Sequence, residues 1–167
     1  MKYTSAEAAK LLRTLTDERD ALYSREDLCS TFVAAISENI DSVRPEYDYN
    51  ATRSQICEIE SKIRRIKHAI NVFNTTHVVP GFDMTIDEML VYIPMLTRRK
   101  NQLNGMASNL PKTRERTYGQ SSIIEYRYSN YDIEKAAQDL AEVTDLISKA
   151  QVALDLVNST ETMEIDL

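Results

Sequence analysis

Asn71-Val-Phe-Asn-Thr-Thr-His-Val-Val-Pro-Gly-Phe-Asp-Met-Thr85 joins two long helical runs of similar weight. Asn71 and Asn74 are placed to end one helix by bonding its free carbonyls. Pro80-Gly81 breaks the chain, and Thr85-x-x-Glu88 is a capping box that opens the next helix. The stretch reads as a structural corner made of Asn71, Asn74, Pro80, Gly81 and Thr85, with a ligand role for the two asparagines as the alternative.

Upstream of the corner, Tyr49, Thr52, Ile56, Ile59, Ile63, Ile66, Ile70 and Phe73 follow one another in steps of three and four, a coiled-coil-like seam. Arg53, Glu60, Arg64 and Lys67 occupy the other face, and Asp48 or Asn50 can cap this helix. Further back, Thr4-x-x-Glu7 is another capping box, followed by Ala8, Leu12, Leu15 and Leu22 at helical spacing, with Arg19 interrupting. Two readings of the next segment stay open. The seam extends through Cys29, Val33, Ile36, Ile40 and Val43 as one long helix, or Ser30 to Ile36, rich in strand formers, is a strand. Arg44-Pro45 ends whatever precedes it.

Downstream, Met89, Ile93, Leu96, Leu103 and Met106 line a helix that Pro94 should kink and that Gly105 and Pro111 limit. Lys112 to Gln120 reads as an exposed loop. Residues 121–128 alternate, with Ile124, Tyr126 and Tyr128 facing one way, and form a strand that needs a partner. Residues 30–36 are the best candidate for that partner. Ser129 or Asn130 caps the last helix, whose seam is Ile133, Ala136, Leu140, Val143, Ile147, Ala150, Leu154 and Val157. The remainder reads as an acidic tail, frayed or loosely docked.

The expected architecture is mainly α: an antiparallel four-helix bundle of coiled-coil-like hairpins with one small β element at about residues 30–36 and 121–128. It is a single domain over 1–167, with a hairpin at 5–74, a link at 75–84, a second helical pair at 85–158 and a tail at 159–167. Three glycines and four prolines fit long helices better than a turn-rich β chain. The first residues lack the apolar core of a secretory signal, and no run approaches the roughly 18 apolar residues of a membrane span. A cytoplasmic protein is expected.

These residues also carry a family resemblance. Ile70-Asn71-x-x-Asn74, Gly81-x-x-Met84-Thr85-Ile-Asp-Glu88-Met-Leu90 and the strand running into Ser129-Asn-Tyr-Asp132-Ile133 resemble the septicolysin-like family of uncharacterised, mainly helical bacterial proteins. An Arg-Arg-Asp run of the family's third helix is absent, with Ile93-Pro94 near its place, and the link between the first two helices is more apolar. The resemblance implies a helical fold and, by the family's name, a cytolysin-like membrane activity. It implies no catalytic residue.

The sequence holds no P-loop, dinucleotide motif, nucleophile elbow or paired-histidine metal motif. Cys29 and Cys57 fit neither a disulfide framework nor a zinc spacing, and His68 and His77 have no ligand partner at a useful offset. No catalytic residue, metal, cofactor or small-molecule substrate is expected, and the chain reads as non-enzymatic. Charge is the feature above background. Residues 61–116 hold ten basic residues against four acidic ones, an excess of six, in a chain of net charge −6. Arg64, Arg65, Lys67, Arg98, Arg99, Lys100, Lys112, Arg114 and Arg116 are therefore candidate anion or nucleic-acid contacts, with Tyr118, Tyr126 and Tyr128 available to stack on bases. The seams offer a second candidate, an oligomer or core contact through Ile56, Ile59, Ile63, Ile66, Ile70, Ile133, Leu140, Ile147 and Leu154. The favoured reading is a structural or interaction protein acting as a homo-oligomer. Binding of nucleic acid is the alternative, and no membrane partner is expected.

Overall fold

The computed structural model describes residues 1–115 and 124–167. In chain order its elements are β1 (Lys2–Thr4), α1 (Ser5–Cys29), α2 (Ile40–Val43), α3 (Tyr49–Thr76), β2 (Val78–Val79), β3 (Met84–Thr85), α4 (Ile86–Ala107), β4 (Lys112–Arg114), β5 (Tyr126–Tyr128), α5 (Ile133–Thr160) and β6 (Thr162–Glu164). The protein is mainly α, with small antiparallel strand pairs. Both capping boxes form. The Thr4 hydroxyl accepts from the Glu7 N–H at 3.2 Å while the Glu7 carboxylate accepts from the Thr4 N–H at 2.8 Å. Thr85 and Glu88 repeat the exchange at 3.2 and 2.7 Å. Two backbone donors with no intrahelical partner are satisfied at each start.

The chain forms two compact units. In the first, Met1–Thr76 with Val157–Leu167, α1 and α3 make an antiparallel hairpin. Tyr23 donates to Glu60 at 3.0 Å and Arg53 pairs with Glu26 at 2.7 Å, so numbering rises along one helix as it falls along the other. Ala8, Leu15, Ile56, Ile63, Ile66 and Phe73 are buried. Of the two readings of the tail, the structure departs from the frayed one: the last residues are docked. β6 pairs with β1, with Lys2 opposite Glu164 and Thr4 opposite Thr162. Ile165 N donates to Met1 O at 2.9 Å, and Met163 and Ile165 are buried. Thr-Met-Glu-Ile alternates polar and apolar residues, a strand period whose buried face outweighs the acidity of its neighbours.

The joint between α1 and α3 corrects the sequence reading twice. α1 stops at Cys29, not near Val43, and residues 30–36 form neither helix nor strand. Ser30 caps α1, a turn follows in which Ala35 N donates to Glu38 Oε2 at 2.8 Å, and Asn39 starts the short α2 by accepting from Asp41 N. Glutamate and asparagine side chains thus offer the backbone local partners that compete with a continuous helix. Arg44 is extended before Pro45, and Asp48 Oδ1 accepts from Ala51 N at 3.0 Å to start α3.

In the second unit, His77–Leu156, the corner is a tight β-hairpin rather than a plain link. Val78 faces Thr85 and Val79 faces Met84, closed by the Phe82 N to Val79 O bond at 3.2 Å. Gly81 at φ 85° and Asp83 at φ 51° supply the left-handed positions of the turn. α3 continues through Asn71 and Asn74 to Thr76, so neither asparagine ends it, and the Thr75 and Thr76 hydroxyls donate to the Asn71 and Val72 carbonyls one turn back at 2.9 and 2.7 Å. Asn74 Oδ1 is buried without a hydrogen-bond partner.

α4 runs unbroken past Pro94, and Leu96 packs with Val143 and Ile147 of α5, flanked by Tyr92, Leu103 and Leu146. Tyr131, just before α5, donates to the Met106 carbonyl near the end of α4 at 2.8 Å, so the two helices are antiparallel. Asp132, rather than Ser129 or Asn130, caps α5 by accepting from the Glu134 and Lys135 N–H groups. β5 pairs with β4, not with residues 30–36, and so Lys112–Arg114 is strand where a loop was expected. A partner a few residues upstream costs far less loop-closure entropy than one some ninety residues away. Among the described residues, three strand pairs replace the one anticipated. The part of the expected strand at 121–123 lies outside the described residues.

Candidate binding surfaces

The candidate residues do not gather into one site. Along the seams, Ile56, Ile63, Ile66, Ile147 and Leu154 are buried, and Ile59, Ile70, Ile133 and Leu140 are half-buried. Most of the isoleucine stripe is core within one chain. Arg64, Arg65 and Lys67 are exposed on α3 in the first unit, where Arg65 reaches the Asp166 carbonyl at 3.5 Å. Arg98, Arg99 and Lys100 are consecutive on α4 and fan around the helix at about 100° per residue, so they make no single patch. Arg116 and Tyr118 lie outside the described residues.

Lys112, Arg114, Tyr126 and Tyr128 do come together. Register places Lys112 opposite Tyr128 and Arg114 opposite Tyr126. Alternation then sets all four on one face of the β4–β5 ribbon. The Lys112 ammonium lies 4.0 Å from the Tyr126 ring centre and 5.4 Å from that of Tyr128. The two rings are 6.5 Å apart and tilted by 52°. Both remain open to solvent, at 45% and 62% exposure. On the other face, Arg127 grips Glu115 through two hydrogen bonds of 2.8 Å, which holds the Glu115 carboxyl below its ordinary range. The ribbon base is clamped to the end of α4 by Ser129, whose hydroxyl donates to Leu110 O at 2.9 Å and whose N–H donates to Pro111 O at 3.1 Å.

The joint after α1 presents a surface of opposite character. Leu28 (79% exposed), Val33 (93%) and the fully exposed Ile36 stand in solvent, with Phe32, Ile40 and Val43 also exposed. Only Phe32 has an aromatic contact here, with the Arg44 guanidinium 5.8 Å from its ring centre. Sequence reasoning listed Val33, Ile36, Ile40 and Val43 as helix seam and missed them as a surface. The available signal was the run Phe-Val-Ala-Ala-Ile beside so many local turn-formers.

Beneath that joint lies a polar network the sequence reading also missed. Glu26 is buried, at 7% exposure, and accepts from Tyr47 Oη at 2.7 Å while pairing with Arg53 at 2.7 Å. Its hydrogen bond to Glu26 pushes the Tyr47 hydroxyl up to about 12. Four residues beyond Leu22, Glu26 sits on the apolar stripe of α1, and a carboxylate there demands partners. The geometry is that of a structural latch tying the joint to both helices. Among the described residues, no group of three or more His, Cys, Asp or Glu is arranged to hold a metal. None of the described helices is long and apolar enough to cross a membrane.

No family model matches this chain, and no curated protein matches it. Among solved structures, a functionally unknown conserved protein from Corynebacterium diphtheriae superposes with a TM-score of 0.60, covering 98% of this chain and 100% of that one at 14% identity. The likeness is one of fold.

Proposed function

We propose that this is a non-enzymatic, cytoplasmic interaction protein that works as a homo-oligomer, joined through the apolar segment from Leu28 to Val43. The observation that carries the reading is the exposure of Leu28, Val33 and Ile36 at the tip of a long helical hairpin otherwise well packed. Contiguous apolar surface of this kind marks a contact site in a soluble protein. A two-fold pairing brings the same segment of two copies together, so the patch covers itself without a second kind of partner. The septicolysin-like resemblance enters this proposal only as a shared helical architecture.

Burying a Val or Ile side chain contributes roughly 1.5–3 kcal/mol, and each 1.4 kcal/mol is about tenfold in affinity. The variant V33D/I36D is therefore expected to dissociate the oligomer at micromolar concentration with its helical circular dichroism unchanged. Size-exclusion chromatography with light scattering reads the mass. A monomeric parent chain across the accessible concentration range, or an unchanged oligomer in the variant, overturns the proposal.

A further inference from the structure

We propose that the Lys112/Arg114/Tyr126/Tyr128 face of the β4–β5 ribbon binds single-stranded nucleic acid. The argument is independent of the apolar joint. Two tyrosine rings on one face, both open to solvent, offer stacking surface that only unpaired bases can use, because duplex bases show only their edges. Lys112 leans over the rings and Arg114 is its neighbour on that face, so cations sit beside the stacking surface where a phosphate backbone would run. Neither has an ion pair among the described residues. Among the described residues, the one cation of the opposite face, Arg127, is engaged bidentately by Glu115, and Glu125 adds negative charge there. The ribbon is thus polarised, with its free positive charge and its rings on the same side. Nothing in the face distinguishes deoxyribose from ribose, so DNA and RNA strands share the recognition chemistry.

The test is fluorescence anisotropy with the full chain and labelled oligo(dT), oligo(U) and a mixed-sequence duplex, at low and moderate salt. Single strands are expected to bind at low salt with quenching of tyrosine emission, and the duplex to bind more weakly. Stacking losses correspond to roughly 5- to 150-fold in affinity per base, so Y126A or Y128A alone should fall in that range and Y126A/Y128A should lose more than either, while Y126F/Y128F keeps the parent affinity. K112Q/R114Q should flatten the log-affinity against log-salt slope by about 1.4, since each neutralised phosphate of a single strand contributes about 0.7. All four side chains are exposed, and unchanged circular dichroism checks the fold of each variant. Absence of single-strand binding even at low salt overturns the proposal. So does duplex binding of equal strength, or binding indifferent to Y126A/Y128A, since either makes the contact a general field effect.

Discussion

Replacing Ile165 by alanine tests whether the C-terminal strand belongs to the fold. The side chain is 1% exposed, and its backbone N–H holds Met1 O at 2.9 Å across the β1–β6 pair. Alanine removes three buried carbons, which at ~0.8 kcal/mol each is about 2.4 kcal/mol of transfer free energy. A cavity term adds to this, but a terminal strand of three residues can shift inward and close part of the space. The lower half of the ~2–5 kcal/mol range for such truncations is therefore expected, about 2.5–3.5 kcal/mol. Urea unfolding followed by circular dichroism should show the midpoint falling at constant slope. Glu164→Ala, on the exposed face of the same strand, should stay within about 0.5 kcal/mol. A loss below about 0.5 kcal/mol for Ile165→Ala would show that the segment is a loose tail, and the clasp reasoning would fail with it.

Two further outcomes follow from single side chains. Thr85→Ala removes the hydroxyl that accepts from Glu88 N and should cost about 0.5–2 kcal/mol in the same unfolding assay; Thr85→Ser should restore most of it. The Tyr47 hydroxyl, raised from 10.0 to about 12 by its bond to Glu26, stabilises the fold in its protonated form. That contribution is complete below pH ~10 and is lost as pH rises towards 12. The difference in tyrosinate absorbance between the parent chain and Tyr47→Phe should show one tyrosine titrating late, and an ordinary titration there would refute the latch.

The helices were legible because their signals are local and redundant. Each of the two capping boxes, Thr4/Glu7 and Thr85/Glu88, reads directly from sequence and forms as written, and the isoleucine steps of α3 point at its buried face. The strands were not legible, for a different reason. Three-residue ladders such as Lys-Thr-Arg and Thr-Met-Glu are too short for their alternation to announce a strand by itself, and their pairing is decided by where the helices leave their ends. Tyr126 and Tyr128 face one way, as their alternation implies, yet their partner is Lys112–Arg114, whose charge reads as loop, and not residues 30–36. Asn71 and Asn74 show the same limit in a helix. Residues that usually end helices sit inside α3, which runs on past both of them to Thr76.

The candidate surfaces follow from that difference. An apolar residue on a seam and one on an open joint are the same letter, and the local hydrogen bonds of Glu38 and Asn39 compete with a continuation of α1 past Cys29. Once α1 stops there, Val33 and Ile36 lose the helical register that would have aligned them with Leu15 and Leu22, and they face water instead. The Glu26 latch fixes Tyr47 and Arg53 beneath the joint, so the segment is anchored at its far end while its apolar side chains stay open. Anchoring matters to the proposed assembly, because a contact segment already held in place loses less conformational entropy on binding than a free one. Tyr47→Phe should accordingly weaken self-association even though Tyr47 lies outside the apolar patch, and an unchanged association constant in that variant would separate the latch from the interface.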